Sequence, residues 1–204
     1  MAGLDESGYT LLPQLQSAYA LLDWENLVVD KGVRRVLDQG RDRPSPVLEI
    51  AEDPSDVLKE LERAWGEKSW LYPPYAKLIL ELATEKERHK APDFKILGVE
   101  LNVPGEERPV AGELGYAIGR TYTSLSGFFR RENRAWNNYG KLQLVLLARR
   151  LEEAGFAFWN LGHPYMEYKL RLGARILERR LFLQRWDTAA AEPMPSLVSA
   201  ECGG

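Results

Sequence analysis

Cysteine is nearly missing from these 204 residues: Cys202 stands alone, and histidine occurs only at His89 and His163. A single cysteine excludes an internal disulfide, which fits a reducing compartment, and so few His and Cys side chains leave no metal site to expect. Long hydrophobic runs are missing too. None approaches the roughly 20 residues that cross a bilayer, so a soluble protein with no membrane partner is expected. The opening MAGLDESGYT carries neither the basic stretch nor the apolar core of a secretory leader, and the expected location is cytoplasmic. The chain also has no phosphate-binding glycine loop, no G-x-G-x-x-G fingerprint and no G-x-S-x-G elbow.

The charge that is present is divided. Residues 1–107 hold 13 Lys and Arg against 21 Asp and Glu, a balance of −8, whereas residues 108–186 hold 14 against 6, a balance of +8. Two physical readings follow. The halves pack against each other or present solvated faces, or the basic half neutralises the phosphates of a nucleic acid.

Periodicity divides the chain in a similar place. DPSDVLKELERAW predicts a helix over about 54–65, with a capping residue and Val57, Leu58, Leu61 and Trp65 at helical spacing. PPYAKLILELATEKERHK reads as a second helix that begins at proline and ends in charge. After Pro92 the period changes to that of strands. FKILGVELNV, PVAGELGYAIG and RTYTSLSGFF predict an antiparallel meander. The polar insert RRENRAWNN follows, then a long helix closing at Gly155, a strand FAFWNLG, a short helix, a turn at Gly173 and a last helix. The expected fold is α+β, with a mainly helical part over 1–90, an acyltransferase-type core over 91–186 and a flexible tail over 187–204. On strand FAFWNLG, alternation places Phe156 and Phe158 on one face and Ala157 and Trp159 on the other.

GELGYAIGRTYTSLSGFF, the long helix, GFAFWNLG and KLRLGARILERRLFL together resemble the carboxy-terminal domain of leucyl/phenylalanyl-tRNA-protein transferases, over roughly residues 65–186. That family builds a strand pair on G-x-x-x-G and F-x-G-E-S-M-F-S, ends a later strand in D-C-Q and turns at S-L-G-A. The resemblance places Gly115, Gly119 and Tyr122 on the first strand pair, Ser126 on the serine of G-E-S and Phe128 on the phenylalanine after it. Lys141 falls on the lysine that opens the helix, and Leu172, Gly173 and Ala174 on L-G-A. Leu125 stands where the family has the acid of G-E-S, Asn160 where it has the aspartate of D-C-Q, and Gly162 where it has the glutamine.

What the resemblance implies is an acetyltransferase-like (GNAT-type) core that moves an amino acid from charged tRNA to an amine. By family default that amine is a protein amino terminus, and the product a degradation signal. No cofactor or metal is implied beyond aminoacyl-tRNA as co-substrate. The aminoacyl ester is already activated and an α-amino group of pKa near 7.7 to 8.0 is partly deprotonated at neutral pH, so alignment and oxyanion donors are the main requirement. The expected catalytic groups are the Asn160 amide, the Ser124 or Ser126 hydroxyl and His163 as proton shuttle. Tyr122, Leu125, Phe128, Phe158, Trp159 and Gly162 are expected at the substrate. Arg130, Arg131, Arg134 and Trp136 in the insert, with Lys141, Lys169, Arg171 and Arg175, are expected at the tRNA. The alternatives are a binding relative without catalysis, a transferase for a small-molecule amine and, without the usual R/Q-x-x-G-x-G/A loop, a coenzyme-A-dependent enzyme.

Overall fold

The computed structural model describes residues 15–38, 45–71, 73–84, 94–131 and 133–197, and the backbone of residues 2–3 and 10–11. The charged run at 85–90 with His89, and the last part of the tail, 198–204 with Cys202, lie outside the described residues.

A short pair of strands, β1 (Ala2–Gly3) and β2 (Thr10–Leu11), stands apart from the main sheet. The main sheet has seven strands: β3 (Ala18–Leu22), β4 (Val47–Ala51), β5 (Phe94–Asn102), β6 (Ala111–Ile118), β7 (Thr121–Phe129), β8 (Phe158–Asn160) and β9 (Arg175–Glu178), in the order β4-β5-β6-β7-β8-β3-β9. Every pairing in it is antiparallel except that of β7 with β8. The helices are α1 (Lys31–Asp38), α2 (Ser55–Trp65), α3 (Pro73–Thr84), α4 (Tyr139–Ala154), α5 (Glu167–Arg171) and α6 (Arg179–Ala190). This is the α+β architecture the sequence predicts.

The meander β5–β7 follows its alternation. Leu97, Val99, Leu101, Ala111 and Ala117 point to one face, where they pack with Leu142, Val145 and Leu151 of α4 and Val33 of α1. Ile96, Leu114 and Phe128 point to the other face, under Val57, Leu58 and Leu61 of α2 and Ile79 of α3. At the far end of the sheet, α6 covers the same face as α2 and α3, with Phe182 and Ala189 on Leu21 and Phe158. Helix α4 is the crossover that parallel strands require, and it ends at Gly155 with φ +94°, the left-handed cap expected of glycine.

Three expectations change. The amino-terminal part is no separate helical unit, because β3 lies between β8 and β9 and β4 forms the opposite edge of the same sheet. RILE, read as the start of the last helix, is strand β9, and its backbone turns helical only after Glu178. The stretch beyond Trp186 is packed at least to residue 197: α6 continues to Ala190, Leu197 is buried and its carbonyl accepts from Arg150 of α4.

Part of the charge of the two halves is paired between them. Arg108 pairs with Glu60, Arg130 with Glu106, Lys141 with Asp30 and Arg185 with Asp23, each cation in the basic half and each acid in the acidic half. The packing reading of the charge split thus accounts for several of the basic residues.

Candidate active site

Strands β7 and β8 pair at only three positions, Thr121 with Phe158, Tyr122 with Trp159 and Thr123 with Asn160. Beyond them β7 continues to Phe129 while β8 stops, so the two strands part. The stop has a local cause. The Asn160 side-chain carbonyl accepts from the Gly162 amide at 2.8 Å, closing an Asx-type turn, and Gly162 has φ +71°. On the other wall the register of β7 against β6 shifts: Leu114 faces Ser126 and Gly115 faces Ser124, which leaves Leu125 as the extra residue of a bulge. Ser124 therefore faces α4, and Ser126 faces the α2 side.

At the root of this opening lies a carboxylate. Glu113, mid-strand in β6, is 2% exposed. It accepts from the Tyr122 hydroxyl at 3.0 Å, the Ser124 hydroxyl at 2.7 Å and the Gln143 amide at 3.4 Å. The Trp159 indole N–H donates in turn to Ser124 Oγ at 2.8 Å, so the chain of polar contacts runs from β8 through β7 to β6. Among the described residues no cation forms an ion pair with Glu113. Burial disfavours its charge more than the three donors favour it, and its carboxyl is pushed up to about 7. Tyr168 on α5 is 42% exposed as a residue. Its phenol is nevertheless pushed up to about 12, by burial first and by the charge of Glu113 second.

Glycine makes room for this group. A Cβ on Gly115 would lie 2.2 Å from the Tyr122 hydroxyl and 2.9 Å from the Thr123 carbonyl, so only glycine lets the phenol cross β6 to reach Glu113. Because the Tyr122 hydrogen bond favours the charged carboxylate, Tyr122→Phe is expected to raise the Glu113 pKa further. A carbon NMR titration of labelled glutamate checks this, and an unchanged or lowered value refutes it.

The other expected residues are distributed as follows. The Asn160 amide donates to Thr123 Oγ1 at 3.2 Å while its carbonyl holds Gly162, so both ends of this buried side chain are engaged in structure. His163 is exposed, with its Nδ1 accepting from the Tyr165 amide at 3.4 Å. Phe128 and Leu125 pack under α2 and α3, and Phe158 packs under α6. Phe156 and Phe158 do not share a face as expected: β8 begins only at Phe158, Phe156 joins the α4-side core with Trp159, and Ala157 packs with Phe158. Tyr122 and Trp159, edge to face at 6.0 Å, are the two expected residues that touch the Glu113 group besides Ser124.

Of the basic residues, Arg130 is paired with Glu106, Lys141 with Asp30 and Arg171 with Glu167, while Arg175 donates to Asn26. Lys169 is buried, and its ammonium donates to the Leu161 and His163 carbonyls, both at 2.6 Å, stitching α5 to the loop after β8. Trp136 is 8% exposed and edge to face with Tyr139 at 5.1 Å, so its ring belongs to the core and offers no stacking platform. Arg131 and Arg134 are exposed.

Glu113, Gln143 and Tyr168 were not among the expected site residues. The signal for Glu113 is its position: in AGELGYA an acid occupies the inward face shared by Ala111, Gly115 and Ala117, where a charge is costly without a task. A groove of about 560 Å³ lies elsewhere, against α6, lined by Phe158, Leu177, Leu181, Arg185 and Thr188 among others, and none of the Glu113 group borders it. Among the described residues no cluster of His, Cys, Asp and Glu fits a metal ion, and no helix is long and apolar enough to cross a membrane.

The solved structures similar to this chain include two of low sequence identity. One is the C-terminal domain (DUF2156) of a protein named as a lysylphosphatidylglycerol synthetase from Agrobacterium fabrum, 18% identical, with 74% of this chain and 48% of that one covered at a TM-score of 0.46. The other is a functionally unknown conserved protein from Staphylococcus epidermidis, 12% identical, with 79% and 57% covered at a TM-score of 0.40. The chain thus spans about half the length of the solved structures it matches. No curated protein matches. A crossover helix leading from one strand to a parallel partner that then diverges, with a bulge opposite the divergence, is in keeping with the match of residues 29–170 to the family described as acetyltransferase (GNAT) domain, to which this chain belongs.

Proposed function

We propose that this protein transfers an activated acyl group to an amine at the opening between β7 and β8, with Glu113 as the proton acceptor. The observation that carries the reading is the buried Glu113 carboxyl, which among the described residues has no cation paired with it and is joined through Ser124 to the parting strands. A carboxyl near 7 is matched to an α-amino group near 7.7 to 8.0, since proton transfer is most effective between groups whose pKa values lie close to the working pH. The amine nitrogen attacks the acyl carbonyl carbon as its proton passes to Ser124 Oγ, whose own proton moves to Glu113. The new C–N bond forms and the bond from carbonyl carbon to the leaving oxygen breaks.

The donor proposed is an aminoacyl ester of tRNA. The resemblance of 112–129 and 155–183 to leucyl/phenylalanyl-tRNA-protein transferases supports it, and so does the phenol of Tyr168. A departing thiolate, with a pKa near 8.5, needs little help, whereas a departing ribose alkoxide needs a proton, and the Tyr168 phenol, close enough to Glu113 to feel its charge, is the group proposed to supply it. Glu113 then carries one extra proton and Tyr168 lacks one, and exchange with solvent restores both. Tyr168→Phe is therefore expected to slow transfer from an oxygen ester by at least about tenfold and from a thioester by less. Equal losses on both donors, or none, would exclude Tyr168 as the acid.

The decisive experiment is transfer of radiolabelled amino acids from a mixed pool of charged tRNAs, and in parallel from acyl-coenzyme A, to peptides that differ at their first residue. Transfer from charged tRNA upholds the reading, and a rate that rises with pH through about 7 assigns the proton to Glu113. Transfer from the thioester alone replaces the donor. Transfer from neither, with tRNA still retained, replaces the enzyme by a binding protein.

A further inference from the structure

The amino-terminal half of the chain has acid in excess, yet one of its elements is basic. Helix α1, KGVRRVLD, carries Lys31, Arg34 and Arg35 against Asp38 alone. Elsewhere in that half cations find partners: Lys59 pairs with Asp56, Arg63 with Glu60, Lys77 with Glu81 and Lys95 with Glu52, and Lys68 is the exception. The three cations of α1 are exposed, and among the described residues no carboxylate pairs with any of them. Like charges within one turn of each other repel, and an anion from outside relieves that repulsion.

Helical spacing places Lys31, Arg34, Arg35 and Asp38 on one face. The opposite side is anchored, with Val33 buried in the core that α4 covers and Val36 packed against it. Asp30 fixes the start of the helix, accepting from the Val33 amide at 2.9 Å and from Lys141 of α4 at 2.6 Å. The approach to α4 is close, since a Cβ on Gly32 would stand 2.7 Å from Asn138 Oδ1. Arg34 is held too, its Nε donating to the Val29 carbonyl at 3.1 Å, and among the described residues nothing engages its terminal nitrogens. Because α4 begins soon after β7 ends, α1 stands at the end of the sheet where β7 and β8 part.

What this face lacks narrows the partner. Protein partners are held through a desolvated apolar centre, and here the one exposed apolar side chain, Leu37, is set to one side of the cations. A nucleic-acid backbone needs only cations in a row, and a duplex of RNA is held largely by its shape and phosphates.

We propose that the outward face of α1 binds the phosphate backbone of an RNA duplex, the stem of the tRNA whose acyl group is transferred. The inference rests on the proposed function for the identity of that RNA, and it concerns the stem, away from the acyl end.

The test compares the natural full chain with the triple variant Lys31→Gln, Arg34→Gln, Arg35→Gln and with Asp38→Asn. Equilibrium binding of uncharged tRNA and of polyglutamate is measured over a range of salt, and transfer is measured from charged tRNA and from an aminoacyl ester of adenosine, which has no stem. The triple variant is expected to bind tRNA at least about tenfold more weakly and to lose about two to three phosphate contacts from its salt dependence. Asp38→Asn removes the one acid of the face and is expected to tighten binding about threefold, a gain that a misfolded protein does not imitate. KM for charged tRNA rises about tenfold in the triple variant, while KM for the adenosine ester stays within about twofold. Unchanged tRNA affinity and salt slope in the triple variant overturn the assignment, as does a natural protein that does not bind tRNA. Tighter binding of polyglutamate than of tRNA overturns it in favour of an acidic protein partner. Binding that depends on α1 without any transfer upholds the surface and removes the proposed function. Transfer from charged tRNA with the same KM in both proteins upholds the function and removes the surface.

Discussion

Glu113→Gln is expected to abolish acyl transfer while leaving the fold as stable as before, or more so, at pH 8. The activity loss follows from removing the proposed proton acceptor, among the described residues the one buried carboxyl at the opening, an effect of about 10²- to 10⁴-fold for general-base catalysis. The stability effect follows from linkage. A carboxyl near 4.5 in the unfolded chain and about 7 in the folded one binds more protons when folded between those values. Stability is therefore full below about pH 4.5 and falls as pH rises to 7, by about 3 kcal/mol in all from this group. Glutamine carries no charge to desolvate, its carbonyl still accepts from Tyr122 and Ser124, and a turned Gln143 amide satisfies its N–H. Chemical unfolding from pH 4.5 to 8 tests this: the natural protein loses ground relative to the variant with rising pH. A variant that keeps transfer within about threefold of natural, or that loses stability at pH 8, would remove Glu113 from its role.

Gly173→Ala is expected to cost more stability than any other single methyl considered, about 4 kcal/mol or beyond. Gly173 has φ +108°, and a Cβ there would stand 1.8 Å from the Asn26 carbonyl oxygen and 2.8 Å from its carbon. Both are backbone atoms, so no side chain can swing aside. The turn at 172–174 is also tied to that segment by the Val28 amide, which donates to the Leu172 carbonyl at 2.9 Å, so relief would mean parting the two. Gly155 gives the comparison. It too has positive φ, +94°, but nothing lies within 4 Å of its Cβ, and Gly155→Ala is expected to cost only about 1 kcal/mol. Similar unfolding midpoints for the two variants would contradict this account.

The elements legible in the sequence are those with a long period and a firm stop. The meander over 94–129 shows alternation on both faces, and α4 carries a helical stripe that closes on Gly155. β3 and β4 were not legible, because five residues between turns suit a strand or a buried helical turn equally, and only distant partners decide. β9 was hidden by continuity: RILERRLFL has no glycine or proline where strand becomes helix. Ser124, Tyr122 and Trp159 were expected at the site through the resemblance of their strands to the transferase family, and they meet at the opening. Glu113 could not be foreseen, since its role depends on three donors from β7 and α4 that the sequence keeps 9, 11 and 30 residues away. Trp136 misled in the opposite sense, its basic neighbours suggesting a surface ring where the structure has a core one.

The place of β3 between β8 and β9 also sets an order of assembly. Ala18 meets Glu178 and Leu22 meets Trp159, so this strand has no sheet partner until residues 158–178 are made. Strands β5, β6 and β7 are joined by short turns and are free to pair as soon as they leave the ribosome. Ala20, Leu21 and Leu22, which end fully buried, must meanwhile wait in solution or in the care of a chaperone. Closure of the sheet is thus the late, long-range step of folding, and a chain cut short before residue 158 would retain the meander and hold β3 as an unsheltered, aggregation-prone strand.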